Sequence, residues 1–362
     1  MIFPEFCLER WQSLRDWRAR YNLSESGVEP LTYEELVELV GVPRGVVLGY
    51  GMTKGLPRLR EELAVMHGVG PEEVLVTSGG AEANFVTTLA LVGPGDRAVV
   101  VMPTYMQIPG ILRGIGAVVD KTWIKYGEGL DEEELKRKVA RGVKAVFVTN
   151  PNNPTGYVLS EGERKLLVDL AEDAGAYLVV DEVYRGLEHE GPETPTFAKH
   201  YDKAVVTGSL SKTYGLPGLR IGWVVGPEDV VNGAWAVKDY TTISPPLLDQ
   251  HLAVAVLEKR DYFINRSRTI VRRNFAIFGE YVKARPYVKW WNTKAAAFSH
   301  IYVGGDTLKL AEEIFEETGV LVNPGECFEM KGYLRVGLGW ADENRLREAL
   351  DLFFWALDKK RP

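Results

Sequence analysis

The sequence predicts an α/β protein: one large domain with a mostly parallel sheet flanked by helices, and a smaller α/β domain built from both chain ends. Three observations predict it. The middle of the chain alternates short β-branched apolar runs with longer helical patterns, the signature of repeated βαβ units. Those apolar runs are continuous, as strands are when helices cover both faces of a sheet. The two ends are mainly helical instead, and 362 residues suffice for two bodies. We therefore expect a large domain over residues 45–245 and a small one from 1–44 and 246–362.

Each element follows in order. Val74–Thr77 reads as a strand and Ala81–Val92 as the helix after it. Further strands fall at Ala98–Met102, Ala117–Trp123, Ala145–Thr149, Tyr177–Val180, Ala204–Thr207 and Ile221–Val225, with helices at Asp131–Arg141 and Ser160–Ala174. Near the start, Trp11–Tyr21 reads as an aromatic, basic helical stretch. Thr32–Val40 reads as a short helix with Thr32 and Glu35 at capping-box spacing. After Pro245-Pro246 the pattern is helical from Leu247 to Ala284. A strand at Phe298–Val303, a helix at Thr307–Thr318, a strand at Tyr333–Val336 and a helix at Asp342–Asp358 complete the chain.

Composition narrows the function. A net charge of -7 argues against a nucleic-acid binder, which shows a basic face. No stretch reaches the roughly 18 apolar residues of a membrane span, and the N-terminus has no signal-peptide pattern, so we expect a cytoplasmic protein. The two cysteines, Cys7 and Cys327, have no metal-ligand spacing; one optional bridge is no disulfide framework, and we read a reducing compartment. The five histidines are scattered singly, so no metal site is expected.

The most informative stretch is Gly208 to Gly222, in which a strand ends and a small-residue loop presents Lys212. A lysine so placed can form a Schiff base with a carbonyl cofactor. The hydroxyls of Ser209 and Ser211 and the planar fork of Arg220 suit a phosphate dianion. Taken alone, Lys212 is an ordinary solvated loop lysine; its neighbours change that reading.

Ser209, Ser211, Lys212, Gly218, Arg220 and Gly222 fall in register with S-x-S-K-x-x-x-x-x-G-x-R-x-G, and the stretch closely resembles that signature of the fold-type I, class I/II aminotransferases. The resemblance implies that Lys212 carries pyridoxal 5′-phosphate (PLP) as an aldimine and that Ser209 and Arg220 hold its phosphate. Asp181 and Tyr184 match the family's D-x-x-Y element, which implies that Asp181 pairs with the ring nitrogen and Tyr184 with the ring oxygen. Such a carboxylate is needed to keep the ring protonated as an electron sink. Asn150 to Gly156 looks like the N-P-T-G loop, in which Asn153 also bonds that oxygen. Ser78 to Asn84 resembles the phosphate cup, offering the Gly80 and Ala81 backbone at a helix start, with Glu82 turned elsewhere.

Tyr105 matches the aromatic position that stacks on the ring. Tyr50 with Gly55, Leu59 and Arg60 resembles the segment whose tyrosine reaches the neighbouring subunit's cofactor, implying a homodimer with shared sites. The same segment mimics a dinucleotide-binding turn, but its spacing, G-x-G-x-x-x-G, is wrong for one. Gly332 to Gly337 looks like the strand whose arginine, here Arg335, clamps the substrate α-carboxylate. The match is weakest before residue 45, where Gly27 is a candidate for approach to the substrate. For the substrate side chain the candidates are Trp11, Trp17, Arg18, Arg20, Trp123 and Lys238.

These resemblances imply a ping-pong aminotransferase that moves an amino group from an amino acid to a 2-oxo acid. A lyase or decarboxylase of the same fold, similar to threonine-phosphate decarboxylase, remains the alternative, because sequence does not show which substrate bond is held perpendicular to the ring.

Overall fold

The structure is a computed structural model that describes residues 2–290 and 293–360. Its large sheet has eight strands. In spatial order they are Val74–Thr77, Gly222–Val225, Ala204–Ser209, Tyr177–Asp181, Val143–Thr149, Arg97–Met102, Val118–Lys125 and Gly129–Leu130. The five strands from Ala204–Ser209 to Val118–Lys125 pair in parallel. Side chains alternate between two buried layers. Val99, Val146, Val148, Leu178 and Val180 face one core, and Val100, Phe147 and Val179 face the other. Both faces are thus covered, which explains the continuous apolar runs.

Gly222–Val225 is antiparallel to both neighbours. The segment between Ser209 and Gly222 holds only the short 3₁₀ turn Pro217–Leu219, with no crossover helix, so the chain returns in the opposite direction. Lys212 lies on that tight return.

The helices stop where their caps dictate. Glu161–Ala174 opens on a capping box from Ser160 and Glu163 and closes on Gly175 in the left-handed conformation. Tyr33–Val40 opens on the expected Thr32–Glu35 capping box. The predicted helix at 131–141 ends earlier, at Lys138.

A second sheet, with strands Lys289–Trp290, Phe298–Tyr302, Tyr333–Gly337 and Asn323–Pro324, is wholly antiparallel. Its core joins Leu8, Trp11, Tyr21 and Leu23 to Phe298, Val336, Phe353 and Phe354. Leu36, Leu252 and Val256 pack instead with Leu59 and Leu63 against the large sheet.

Three expectations change. Residues 11–21 are not one helix: a helix at Cys7–Ser13 and a 3₁₀ turn at Asp16–Arg18 precede a two-residue strand, Tyr21–Asn22, paired in parallel with Val320–Leu321. Backbone bonds from Arg20 and Tyr21 to the Gly319 carbonyl hold that pairing, and distant partners override local helical preference. The 247–284 stretch is two helices, Leu247–Glu258 and Arg260–Lys283, broken at Lys259. Each half packs into a different core, Leu252 and Val256 into one, Val271 and Phe278 into the other. Cys7 and Cys327, read as sparse cysteines of a reducing compartment, are joined by a disulfide across a Cα separation of 5.2 Å. No described helix is long and apolar enough to cross a membrane.

Candidate active site

Parallel strands deliver their C-terminal ends to one edge of a sheet, and ligands of such folds bind there. Here that edge carries Thr149, Asp181 and Ser209, and it opens on a cavity of about 250 Å³. Gly80, Ala81, Tyr105, Asn153, Tyr184, Ser211, Lys212, Arg220 and Arg335 also line it.

Lys212 faces the cavity from the tight return. Burial lowers its pKa, Glu25 opposes this, and Arg335 adds to it. A neutral amine is therefore more available, as a nucleophile or base requires. Gly27 does approach it: a Cβ there would sit 3.4 Å from Lys212 Cα and 3.3 Å from the Ser211 carbonyl oxygen.

Asp181 is buried at the end of its strand. Its Oδ2 accepts from Asn84 Nδ2 at 2.9 Å and its Oδ1 from the Val183 amide at 3.0 Å. Asn84 is oriented in turn by Thr207, whose hydroxyl donates to Asn84 Oδ1 at 2.7 Å. Burial raises the Asp181 pKa against the pull of Asn84, Val183 and Lys212. The result is a carboxylate more basic than usual, suited to pairing with a protonated ring nitrogen. Asn84 carries no motif role in the sequence; only the fold brings it to Asp181.

Arg335 is only 1% exposed and lies on a strand with neighbours on both sides, so it is no edge residue. Its Nη1 donates to Asn153 Oδ1 at 2.9 Å, its Nη2 to the Ser24 carbonyl at 2.8 Å, and its Nε has no partner. Asn153 Nδ2 donates to the Tyr184 hydroxyl at 3.2 Å. Burial pushes the Tyr184 phenol up to about 12, so it remains a neutral donor.

The anion cradle depends on missing side chains. A Cβ on Gly222 would lie 2.3 Å from the Gly79 carbonyl carbon, and one on Gly79 2.3 Å from Arg220 Nη2. Gly79 also has φ +80°, open to glycine at little cost. The amides of the first helical turn after Ser78 have no intrahelical acceptor, which favours an anion. Glu82 turns back, accepting from the Ser78 amide at 2.6 Å and from Thr242 Oγ1 at 2.8 Å. Ser209 Oγ accepts from the Ser211 amide at 3.2 Å.

Of Tyr50 and Tyr105, only Tyr105 borders this chain's own cavity, and Tyr50 is expected at the neighbouring subunit's. Tyr50 is 90% exposed and does not line the cavity. Tyr105 lines it, with its hydroxyl donating to Glu9 Oε1 at 2.5 Å and its ring 4.9 Å from that of Phe6. None of the six side-chain-pocket candidates lines the cavity. Trp11 bonds the Val322 carbonyl, Arg18 pairs with Glu316, and Lys238 holds the carbonyls of Thr53 and Ile243. The wall is made instead by Leu8, Glu9, Gln12, Glu25 and Ser26. No periodicity in the sequence flagged them, because their facing depends on contacts some 300 residues away in the chain.

The chain's relatives give its class. Residues 43–353 match the family described as aminotransferase class I and II, and the chain belongs to that family. It is 32% identical to capreomycidine synthase of Streptomyces vinaceus over 92% of this chain and 89% of that one. It is 30% identical to the aspartate/prephenate aminotransferase of Thermus thermophilus, covering 84% and 82%. Among solved structures, a PLP-dependent aminotransferase from Streptococcus suis superposes with a TM-score of 0.93 at 31% identity, covering 99% of each chain. The protein is a PLP-dependent aminotransferase. The site fits the cofactor: a buried carboxylate, a cavity-facing lysine of lowered pKa and a cradle that a single Cβ would fill.

Proposed function

We propose that the cavity at the sheet edge transfers an amino group from an amino acid to a 2-oxo acid, with Lys212, Asp181 and Arg335 as its working groups. The observation that carries this is their presence on the walls of one cavity. PLP, when bound, supplies an electron sink for the charge left at the substrate α-carbon. Lys212 Nζ would anchor the cofactor and, once displaced by the donor's amino group, would as a neutral amine take the α-proton and pass it to the cofactor carbon it had held. Asp181 holds the proton at the pyridine nitrogen. Tyr184 and Asn153 would donate to the ring oxygen, and Tyr105 would supply an aromatic wall beside the ring. The Gly80 and Ala81 amides, Ser209, Ser211 and Arg220 bind the phosphate. Arg335 grips the α-carboxylate as a bidentate fork, with Asn153 and Gly27 beside it.

The test is direct. An amino donor alone should bleach the cofactor's visible band, and a 2-oxo acid alone should restore it. Arg335→Lys keeps the charge but loses the fork. It is expected to raise KM for the amino acid roughly 10–100-fold, the worth of a charged hydrogen bond. An unchanged KM would remove Arg335 from the site. Gly222→Ala is expected to weaken PLP retention on dialysis on the order of tenfold by pushing the Gly79 backbone out of the cradle. Full retention would count against the cradle.

We also propose a homodimer. Val47, Leu48, Tyr50, Met52 and Tyr240 are large apolar or aromatic side chains that stand exposed, which supports a covered face around Tyr50. A second reading, chemistry other than transamination on the same cofactor, is favoured by the likeness to a synthase and to a solved PLP-dependent cyclase. Consumption of a 2-oxo acid separates the two.

A further inference from the structure

The wall facing away from the large sheet is made by the helix Cys7–Ser13 and the segment after Asn22. Among the described residues the cavity lining holds three cationic side chains, Lys212, Arg220 and Arg335. Each has a task in the function proposed above: the α-carbon, the phosphate and the α-carboxylate. None of this chain's is left over for a second carboxylate on the substrate. What the outer wall offers is the opposite charge. Glu25 forms no ion pair or side-chain hydrogen bond among the described residues, and Glu9 only accepts from Tyr105, at 2.5 Å. Gln12 adds to this. Its Nε2 is spent on the Ser24 carbonyl and hydroxyl at 2.9 and 3.0 Å, so its Oε1 remains as an acceptor.

Beside the Ser26 hydroxyl, which can also accept, the polar wall is therefore built of acceptors, and it matches groups that are all donor. Ammonium and guanidinium are such groups, with no acceptor at all. Leu8, which also lines the cavity, can cover the methylenes that carry them. That this space takes a ligand has separate support. Arg335, 1% exposed, leaves its Nε without a partner on the same cavity. Both carboxylates are close enough to act on the centre, since Glu25 and Glu9 each raise the pKa of Lys212 against its burial.

We propose that the amino donor carries a cationic side chain, an ammonium or guanidinium a few methylenes from the α-carbon, and that Glu25 and Glu9 recognise it. The proposal rests on the aminotransferase reading and adds the substrate class to it. Dicarboxylic donors are disfavoured by the same charges, because a second carboxylate would face Glu25 and Glu9 on this chain's wall.

The test uses PLP-loaded protein and five donors: L-lysine, L-ornithine, L-arginine, L-norleucine and L-glutamate. The bleaching of the visible band gives kcat/KM for each. L-lysine is expected to exceed its neutral isostere L-norleucine by roughly 10–100-fold, and Glu25→Gln to cut that ratio by a similar factor. Glu9→Gln should cut it too, with a melting curve checking that loss of the Tyr105 contact leaves the fold intact. Calorimetry supplies a readout free of turnover: 6-aminohexanoate should bind more tightly than hexanoate, and Glu25→Gln should erase the difference. Fastest bleaching by L-glutamate or L-norleucine, or an unchanged ratio in Glu25→Gln, overturns the cationic assignment while leaving the aminotransferase standing. If no donor of any class bleaches the band, the aminotransferase reading falls and takes this proposal with it.

Discussion

Lys212→Ala is expected to abolish the visible absorption of the lysine-bound cofactor and to cut transamination by about 10²–10⁴-fold from the lost proton transfer alone. Loss of the covalent anchor adds to this. The loop should survive the change, since its course is fixed by the Leu210–Ile221 and Leu216–Leu210 backbone bonds and not by the lysine side chain. Borohydride should fix the cofactor to the wild-type chain and not to the variant. An unaltered spectrum with retained turnover would remove Lys212 from the chemistry. The direction of its pKa shift matters here. Burial disfavours the ammonium form, and the Glu25 carboxylate opposes that but does not reverse it.

Asp181→Asn is the second large effect. Turnover is expected to fall on the order of 10²–10³-fold, because a charge that stabilises the developing transition state is lost. Cofactor content should remain near normal, since the phosphate is held elsewhere. The variant also carries a structural cost that can be read separately. The new amide would direct a donor at Asn84 Nδ2, and Asn84 cannot turn over without giving up the Thr207 hydroxyl on its Oδ1. A buried mismatch of that kind costs about 1–3 kcal/mol, visible as a lowered melting temperature. Asn84→Ala removes the mismatch partner and so separates the two effects. If Asp181→Asn turns over at the wild-type rate with cofactor bound, the ring-nitrogen role is wrong.

Much of this molecule could be read in advance, for physical reasons. The inner large-sheet strands are buried on both faces, so Val, Ile and Leu runs mark them whatever their neighbours do. Lys212, Asp181, Asn153 and the Ser78–Ala81 turn sit at strand ends, where local sequence sets the loop. The ends of the chain were harder. Tyr21–Asn22 is a strand only because Val320–Leu321 lies beside it. The break at Lys259 follows from two cores pulling one helical pattern apart. Glu9 and Glu25 look like ordinary surface acids in sequence. They become cavity residues because Trp11 docks on Val322 and Ser24 on Arg335. The Cys7–Cys327 pairing is likewise a product of the fold, across a sequence separation of 320.

The first helix has a consequence for how the chain is made. During synthesis Trp11 leaves the ribosome 311 residues before Val322, Ser24 311 before Arg335, and Cys7 320 before Cys327. The large sheet draws on contiguous chain and can assemble in between, whereas contacts over 311 residues wait for both ends. A growing chain therefore acquires its cofactor cradle well before its substrate wall. The outer wall of the cavity, which needs contacts between the two chain ends, is the last part of the site to form.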